Sequence, residues 1–367
     1  HCEREREAIY EIRMMKSRLR VRLGMVALVG ATTGFVSAQQ VAQHARALPF
    51  SGTWGVRILL PTAYDKSVTP RAAVNAENFD IDAFMKQIDQ LTSINHVMIN
   101  IGRGHQASWY SSPYPKMETI MGRSLFPKRD FFGEMVDALR DRDLKVLVYF
   151  SGTGMDAGYL SKAQMEKWKA HLQASELTRA EGVAQILEYY AVKYGDKIDG
   201  WWIDRCGAMK PAERELYAKA IRAGNENAII AMHMKTGSPI RQGTPYCDFT
   251  AGHPVPMKRQ PPWTSNNVAM IENVEAGPWI TQSGKPDDRE GSALGAIFMP
   301  LQAQWRNGTA GFPTDQAIEW TTRVMDAGGM YTWAIARVGN GFAPRQFQQL
   351  VKINAAVESR SARQSLK

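Results

Sequence analysis

Hydrophobic positions along this chain alternate between two rhythms. Short, mostly apolar runs at Trp54 to Leu60, His96 to Ile101, Val146 to Phe150, Ile198 to Ile203 and Ala228 to Met232 read as strands buried on both faces. Between them apolar residues return at helical spacing. Ile81, Phe84, Met85, Ile88 and Leu91 follow Asp80, and Phe132, Met135, Val136 and Leu139 mark a second helix. Val183, Ile186, Leu187, Tyr190, Ala191 and Tyr194 mark a third, and Pro211 opens a fourth through Leu216, Tyr217, Ala220 and Ile221. Strands that alternate with amphipathic helices argue for a parallel sheet covered by helices, and more than four such units favour a closed barrel over an open doubly wound sheet. No glycine-rich phosphate fingerprint follows any strand, which speaks against a dinucleotide-binding fold.

From Lys235 to about Asn267 the periodicity dissolves into Pro, Gly and Thr. Cys247–Thr250 and Val268–Glu272 are the candidates there for strands six and seven. The end of the chain is clearer, with a helix at Ala317–Met325, a strand at Met330–Ile335 and a helix carrying Phe347, Leu350, Val351 and Asn354. The expected fold is therefore an α/β, TIM-like (β/α)8 barrel, irregular in strands six and seven, filling one domain over residues 51–360.

The 367 residues are long enough for one such core and would crowd a second. Residues 15–38 carry Lys16, Arg18, Arg20 and Arg22, then an uncharged stretch to Val36-Ser37-Ala38, the layout of a signal peptide with a small-residue cleavage site. Residues 1–14, rich in Glu and Arg, read as an upstream non-structural segment, and 39–50 as a leader to the domain. On that reading the mature chain is secreted or periplasmic, with no membrane span once the signal is removed. Seven Lys/Arg and four Asp/Glu leave with residues 1–38, taking the formal charge from +9 to +6. That suits an acidic polysaccharide, and equally suits nothing in particular. Cys206 and Cys247 remain as an even pair, which permits one disulfide in an oxidising compartment; the alternative is two buried thiols.

In a parallel barrel, strand C-termini and the loops after them form the reactive face. Asp204, closing the run Ile198-Asp199-Gly200-Trp201-Trp202-Ile203-Asp204, is the first candidate for chemistry, the plain alternative being a turn-capping Asp. Asn100, His105, Tyr149, Ser151, His233, Asp248, His253, Glu272, Glu275 and Trp333 also fall at or just after expected strand ends. Carboxylates and imidazoles grip hydroxyls while flat aromatic faces cover sugar C–H groups, so Trp109, Trp202, Trp263 and Trp333 suit a carbohydrate pocket. Each Trp taken alone is equally well read as packing.

The order of these residues resembles the α-L-fucosidases of glycoside hydrolase family 29. There a helix ending in Tyr-Gly, as at Tyr194-Gly195, precedes a strand of the form Asp-Gly-x-Trp-x-Asp, as at Asp199 to Asp204. Arg129-Asp130-Phe131-Phe132 through Tyr149-Phe150-Ser151 is similar to that family's Asp-led helix and following strand end. Asp326-Ala327-Gly328-Gly329 through Trp333 and Gly339-Asn340-Gly341 is similar to its last strand and helix. The resemblance implies a retaining glycosidase with Asp204 as nucleophile, Trp202 in the sugar pocket and Tyr149 holding the glycosyl unit. Two departures matter. A single His105 stands where the family shows a His pair, followed closely by Trp109. Ala251-Gly252-His253 stands where a Glu acid/base is expected. Glu272 and Glu275 become the substitutes, Glu272 favoured as the end of strand seven, with Asp248 and His253 as helpers and His233 as a further ligand.

On this reading the chain is a retaining exo-glycosidase whose partner is an oligo- or polysaccharide containing fucose or a related deoxy or sulfated sugar, with no nucleic acid, no cofactor and no metal. The sequence leaves the oligomeric state open. Two rivals stand beside it: a sugar-binding pseudo-hydrolase that has lost its acid, and a metal-dependent barrel hydrolase using His105, His233, His253 and Asp204.

Overall fold

A computed structural model describes residues 48–60, 75–102, 111–122, 126–152, 162–254, 264–277, 280–281, 293–303, 305 and 311–365. Its centre is a curled sheet of seven parallel strands: β1 (Thr53–Ile58), β2 (His96–Asn100), β3 (Lys145–Ser151), β4 (Gly200–Asp204), β5 (Ile229–Met232), β6 (Ala296–Pro300) and β7 (Met330–Ile335). They lie in the order β5-β4-β3-β2-β1-β7-β6. Nine helices among the described residues follow or flank them: α1 (Ile81–Ile88), α2 (Pro115–Met121), α3 (Phe131–Arg140), α4 (Lys162–Ala174), α5 (Arg179–Tyr194), α6 (Pro211–Arg222), α7 (Thr264–Ala276), α8 (Thr314–Asp326) and α9 (Pro344–Ser365). The first five expected strands and the last, with the helices between them, stand where the hydrophobic rhythm puts them.

Strand alternation sorts the core into two layers. Val56, Val97, Ile99, Val146, Val148, Trp201, Ile203, Ile230, Met232, Tyr331 and Trp333 belong to the cluster shared with the helices. Met98, Leu147, Trp202, Ile229, Ala231, Phe298, Met330 and Ala334 form a second cluster inside the curl. Asp204 continues the inward row of Gly200 and Trp202, which is what aims it at the mouth of the sheet.

The expected eight-stranded closed barrel is not what forms. Between β5 and β6 the described residues add no strand to this sheet; Arg241–Gln242 and Ile280–Thr281 pair only with each other, in a separate two-stranded parallel sheet. Instead Asp248 and Phe249 donate their N–H groups to the Ile230 carbonyl, Phe249 bridges to Leu294, and Phe298 donates to Gly252. The expected strand six is thus an irregular segment in the right place, its path set by specific polar side chains. Thr250 Oγ1 donates to the Ala296 carbonyl and accepts from the Ala296 N–H. Gly252 has φ +53°, and a Cβ there would meet the Ala296 carbonyl oxygen at 2.0 Å, so this crossing needs glycine.

Asp248 is the anchor of that segment. It is fully buried, accepts from the Ile230 N–H at 2.9 Å and pairs with Arg222 of α6 at 2.9 Å. This corrects its expected substrate-binding role, since its carboxylate is spent on the helix side of the sheet. Removing one partner of a buried pair strands the other charge, so Asp248→Ala is expected to lose roughly 3 kcal/mol of unfolding free energy in urea titration. A loss within 0.5 kcal/mol, the scale of an ordinary surface substitution, would contradict this anchoring role.

The expected seventh strand, Val268–Glu272, is instead the middle of α7. Asn267, Met270, Ile271 and Val274 are its buried positions, a spacing of three and four that is helical. The strand at this place in the sheet is β6, a run of five buried residues between Gly295 and Leu301. Cys206 and Cys247 are both buried free thiols and make no disulfide. Among the described residues no helix is long and apolar enough to cross a membrane.

Candidate functional site

The reactive end of the sheet is built outward from β4. Its first residue in the motif, Asp199, is structural: its carboxylate accepts from the Val146 N–H and from Arg140, each at 2.8 Å, pinning β4 onto β3 in register. Five residues later Asp204 projects from the other end. Arg205 follows with φ +61°, a left-handed conformation unfavourable for a side chain of this size. That turn aims the Arg205 N–H back at Asp204 Oδ1, 2.8 Å away. Gly152, at the end of β3, donates to the Asp204 carbonyl at 2.8 Å, and a Cβ there would sit 2.7 Å from that oxygen.

Two side chains, a phenol and an imidazole, then fix the carboxylate. The Tyr149 hydroxyl donates to Oδ2 at 2.5 Å, and His233 Nδ1 lies 2.8 Å from Oδ1. Asp204 retains 16 % side-chain exposure, so it is held but still open to a ligand. Burial alone would raise its pKa; the hydrogen bonds from His233 and Tyr149 and the nearby imidazoles outweigh it and hold the carboxyl at about 2. Asp204 is therefore ionised throughout the physiological range. Tyr149, buried beside that charge, is pushed well above the ordinary phenol range and stays a donor.

Around this carboxylate the rings form one continuous wall. Tyr149 and Trp202 stack with centroids 5.3 Å apart, Trp202 and His233 at 5.4 Å, His233 and His253 at 4.3 Å, and His253 and Trp305 at 4.7 Å. Phe298 of β6 meets the Trp202 face edge-on at 5.0 Å. Trp202 is wholly buried and donates its indole N–H to the Ala251 carbonyl at 3.0 Å, so it is the floor of the site. His253 Nδ1 lies 3.0 Å from the Pro254 carbonyl, which directs the other ring nitrogen away from the backbone. Burial and the charge of His233 hold the His253 imidazole down to about 4, with Asp204 opposing them. Beyond His253 opens a cleft of about 290 Å³ lined by Lys235, Arg241, Ile240, Pro239 and Gly252 among others.

The expected residues thus divide. Asp204, Tyr149, Trp202, His233 and His253 come together. Tyr149 and His233 serve Asp204 rather than standing free as sugar ligands. Trp333 does not join them: it packs against α8 outside the sheet, its indole N–H on Thr321 Oγ1, because odd positions of β7 face the helices. Glu272 and Glu275 fall away with the strand that was to carry them. Both sit on the exposed side of α7, and Glu275 is gripped by two hydrogen bonds from Arg323. His105, Trp109 and Trp263 lie outside the described residues. Sequence reasoning missed Trp305, Phe298 and Arg57. Phe298 was legible as the alternate inward position of an apolar pentapeptide, whereas nothing local marks Trp305. Among the described residues no group of three or more His, Cys, Asp or Glu side chains is arranged to hold a metal ion.

Comparison with known proteins agrees with a fucan-related fold and revises the resemblance to family 29. Residues 44–242, more than half of the chain, match the family model described as endo-alpha(1,4)-fucoidanase Mef1. No curated protein matches the sequence. Among solved structures, the endo-fucoidan hydrolase MfFcnA4 from glycoside hydrolase family 107 aligns with TM-score 0.70 and 20% identity, over 85% of this chain and 53% of its own. The family 107 endo-fucoidan hydrolase P5AFcnA aligns with TM-score 0.70 and 17% identity, over 84% and 92%. The α-L-fucosidase isoenzyme 1 from Paenibacillus thiaminolyticus aligns less well, with TM-score 0.57 and 14% identity over 88% and 77%. This chain spans about half the length of MfFcnA4, and at these identities the likeness is one of fold. The sequence match is the finding that assigns a family: the chain belongs to the endo-alpha(1,4)-fucoidanase Mef1 family.

Proposed function

We propose that this protein is a retaining glycoside hydrolase that cleaves fucose-containing polysaccharides within the chain, with Asp204 as nucleophile and His253 as acid/base. The observation that carries the reading is the pair itself. An ionised carboxylate, held by two side-chain donors, lies on a ring wall whose next member is an imidazole with one nitrogen turned from the backbone. A retaining glycosidase needs a nucleophile on one face of the anomeric carbon and a proton source at the leaving oxygen. Asp204 supplies the first. Among the described residues the groups beside Asp204 are Tyr149, His233 and His253, and the position of His253 on the ring stack supports giving it the second role.

In the first step Asp204 attacks C1 while imidazolium His253 protonates the departing oxygen. In the second the now neutral imidazole takes a proton from water, which displaces Asp204 and returns the anomer of the substrate. Trp202 and Phe298 keep water from beneath the carboxylate, and Trp305, only partly buried, offers an apolar face to the sugar. Cleavage within a chain, rather than at its end, is supported by the family match and by an open cleft past His253. Lys235 and Arg241 on that cleft suit a glycan bearing negative groups. The residues 15–38 segment, read as a signal peptide, would bring the enzyme to such a polysaccharide outside the cytoplasm.

The test is depolymerisation of α(1,4)-linked fucoidan, followed by size profiling and by early-time proton NMR of the new reducing ends. Early products of intermediate length with the substrate's anomeric configuration are expected. Monomeric fucose from the first time points would instead make the enzyme exo-acting, and inverted products would remove the nucleophile role. A folded protein that binds these glycans and releases no sugar would favour the pseudo-hydrolase.

A further inference from the structure

Beneath Asp204, the inward row of β1 carries a guanidinium where its register partners are Met98 and Ala334. Arg57 is 5% exposed, and its guanidinium carbon lies 4.8 Å from the centroid of the Tyr149 ring and 5.9 Å from that of Phe298. Burying a guanidinium costs several kcal/mol, and Met or Leu fills such a position without that cost. The Tyr149 ring therefore has this cation on it and the Trp202 indole stacked at 5.3 Å, while its hydroxyl ends on Asp204.

We propose that Arg57 is a positioning residue of the hydrolase: seated on the Tyr149 ring, it keeps the phenol hydroxyl on Asp204 and sets the charge balance of the pocket. The inference rests on the reading of Asp204 and His253 as the reacting pair. Tyr149 is one of two side-chain donors that stabilise the ionised nucleophile, so a ring free to swing would weaken that ionisation. The same cation opposes a proton on His253. Among the described residues the titratable and charged groups around Asp204 are Tyr149 from β3, Arg205 and Cys206 after β4, His233 after β5 and His253 beyond Gly252, with Arg57 entering from β1.

The experiment compares Arg57→Met and Arg57→Lys, alone and in a Tyr149→Phe background, by pH profiles of fucoidan depolymerisation. A desolvated cation–π contact fully used for positioning corresponds to about a thirtyfold loss of kcat in Arg57→Met, with KM changed less. Both limbs of the profile should move to higher pH: the rising limb because Asp204 holds its donor less firmly, the falling limb because His253 is freed of a repelling charge. In Tyr149→Phe the added loss of kcat from Arg57→Met should shrink, and only the falling limb should move further. Arg57→Lys, which keeps the charge and not the planar contact, should leave the falling limb in place and shift the rising one. It carries the test if the Met variant does not fold.

Limbs unmoved in a folded variant, or losses that simply multiply with those of Tyr149→Phe, would overturn the proposal. Turnover by Asp204→Ala at the native rate would instead sink the underlying reading, so the two failures are separable.

Discussion

Asp204→Ala is expected to lower kcat on fucoidan by a factor on the order of 10⁴ or more, since removing a nucleophile removes the covalent route itself. The fold should survive. Asp204 sits at the mouth of the sheet with part of its side chain exposed, so its truncation leaves a gap at the surface of the site rather than a sealed cavity in the core. The diagnostic arm is chemical rescue. With the carboxylate gone, azide fits the space facing C1, and turnover should return with a glycosyl azide of inverted configuration as product. Asp204→Asn keeps the shape but not the charge, and azide should restore it far less. Rescue in neither variant, together with full loss of activity, would mean that Asp204 organises the pocket without attacking carbon. Native turnover by Asp204→Ala would place the chemistry elsewhere.

The contrast between what the sequence made legible and what it hid has a physical basis. β4 was readable because three features coincide: a capped amphipathic helix with Thr178 and Glu181 in a reciprocal capping box, a tight Tyr-Gly exit, and a five-residue buried strand ending in a lone carboxylate. Period two then fixed which side Asp204 and Trp202 share. The region from Lys235 to Leu301 was not readable in the same way. The path of its described part over Cys247–Gly252 depends on contacts distant in the chain, such as Asp248 with Arg222 and Thr250 with Ala296, and these leave no local rhythm. Val268-Ala269-Met270-Ile271 satisfies a buried strand and a helix alike over four residues; only the wider set Asn267, Met270, Ile271 and Val274 distinguishes them. That single misreading moved the acid/base to Glu272. The residue proposed in its place, His253, had been visible as the departure from the family 29 pattern. A His there makes sense only once the irregular segment brings it against His233.

Replacing His253 tests that assignment most directly. His253→Phe preserves the ring stack with His233 and Trp305 while removing the exchangeable proton, and is expected to lower kcat by about 10²–10⁴, the usual span of general acid–base catalysis. The loss should depend on the leaving group. A fuco-oligosaccharide with an acidic phenol as aglycone leaves without protonation, so its first step should be nearly unaffected, and the glycosyl-enzyme should then accumulate because the second step lacks its base. The pH dependence follows from the same imidazole. The first step uses its charged form, so kcat/KM should fall as pH rises through the His253 ionisation, which burial and then the His233 charge hold at about 4 in the free enzyme, below the ordinary 6.5. A bound glycan carrying negative groups favours the charged form, so the falling limb of kcat should lie at higher pH than that of kcat/KM. Stability runs the other way. A His whose folded pKa is depressed contributes stability that is present above 6.5 and is lost as pH falls through about 4, so the protein is expected to be less stable on the acid side, where the rising limb still reports Asp204. If His253→Phe keeps the falling limb and is equally slow on activated and natural substrates, the proton comes from another group and His253 only packs.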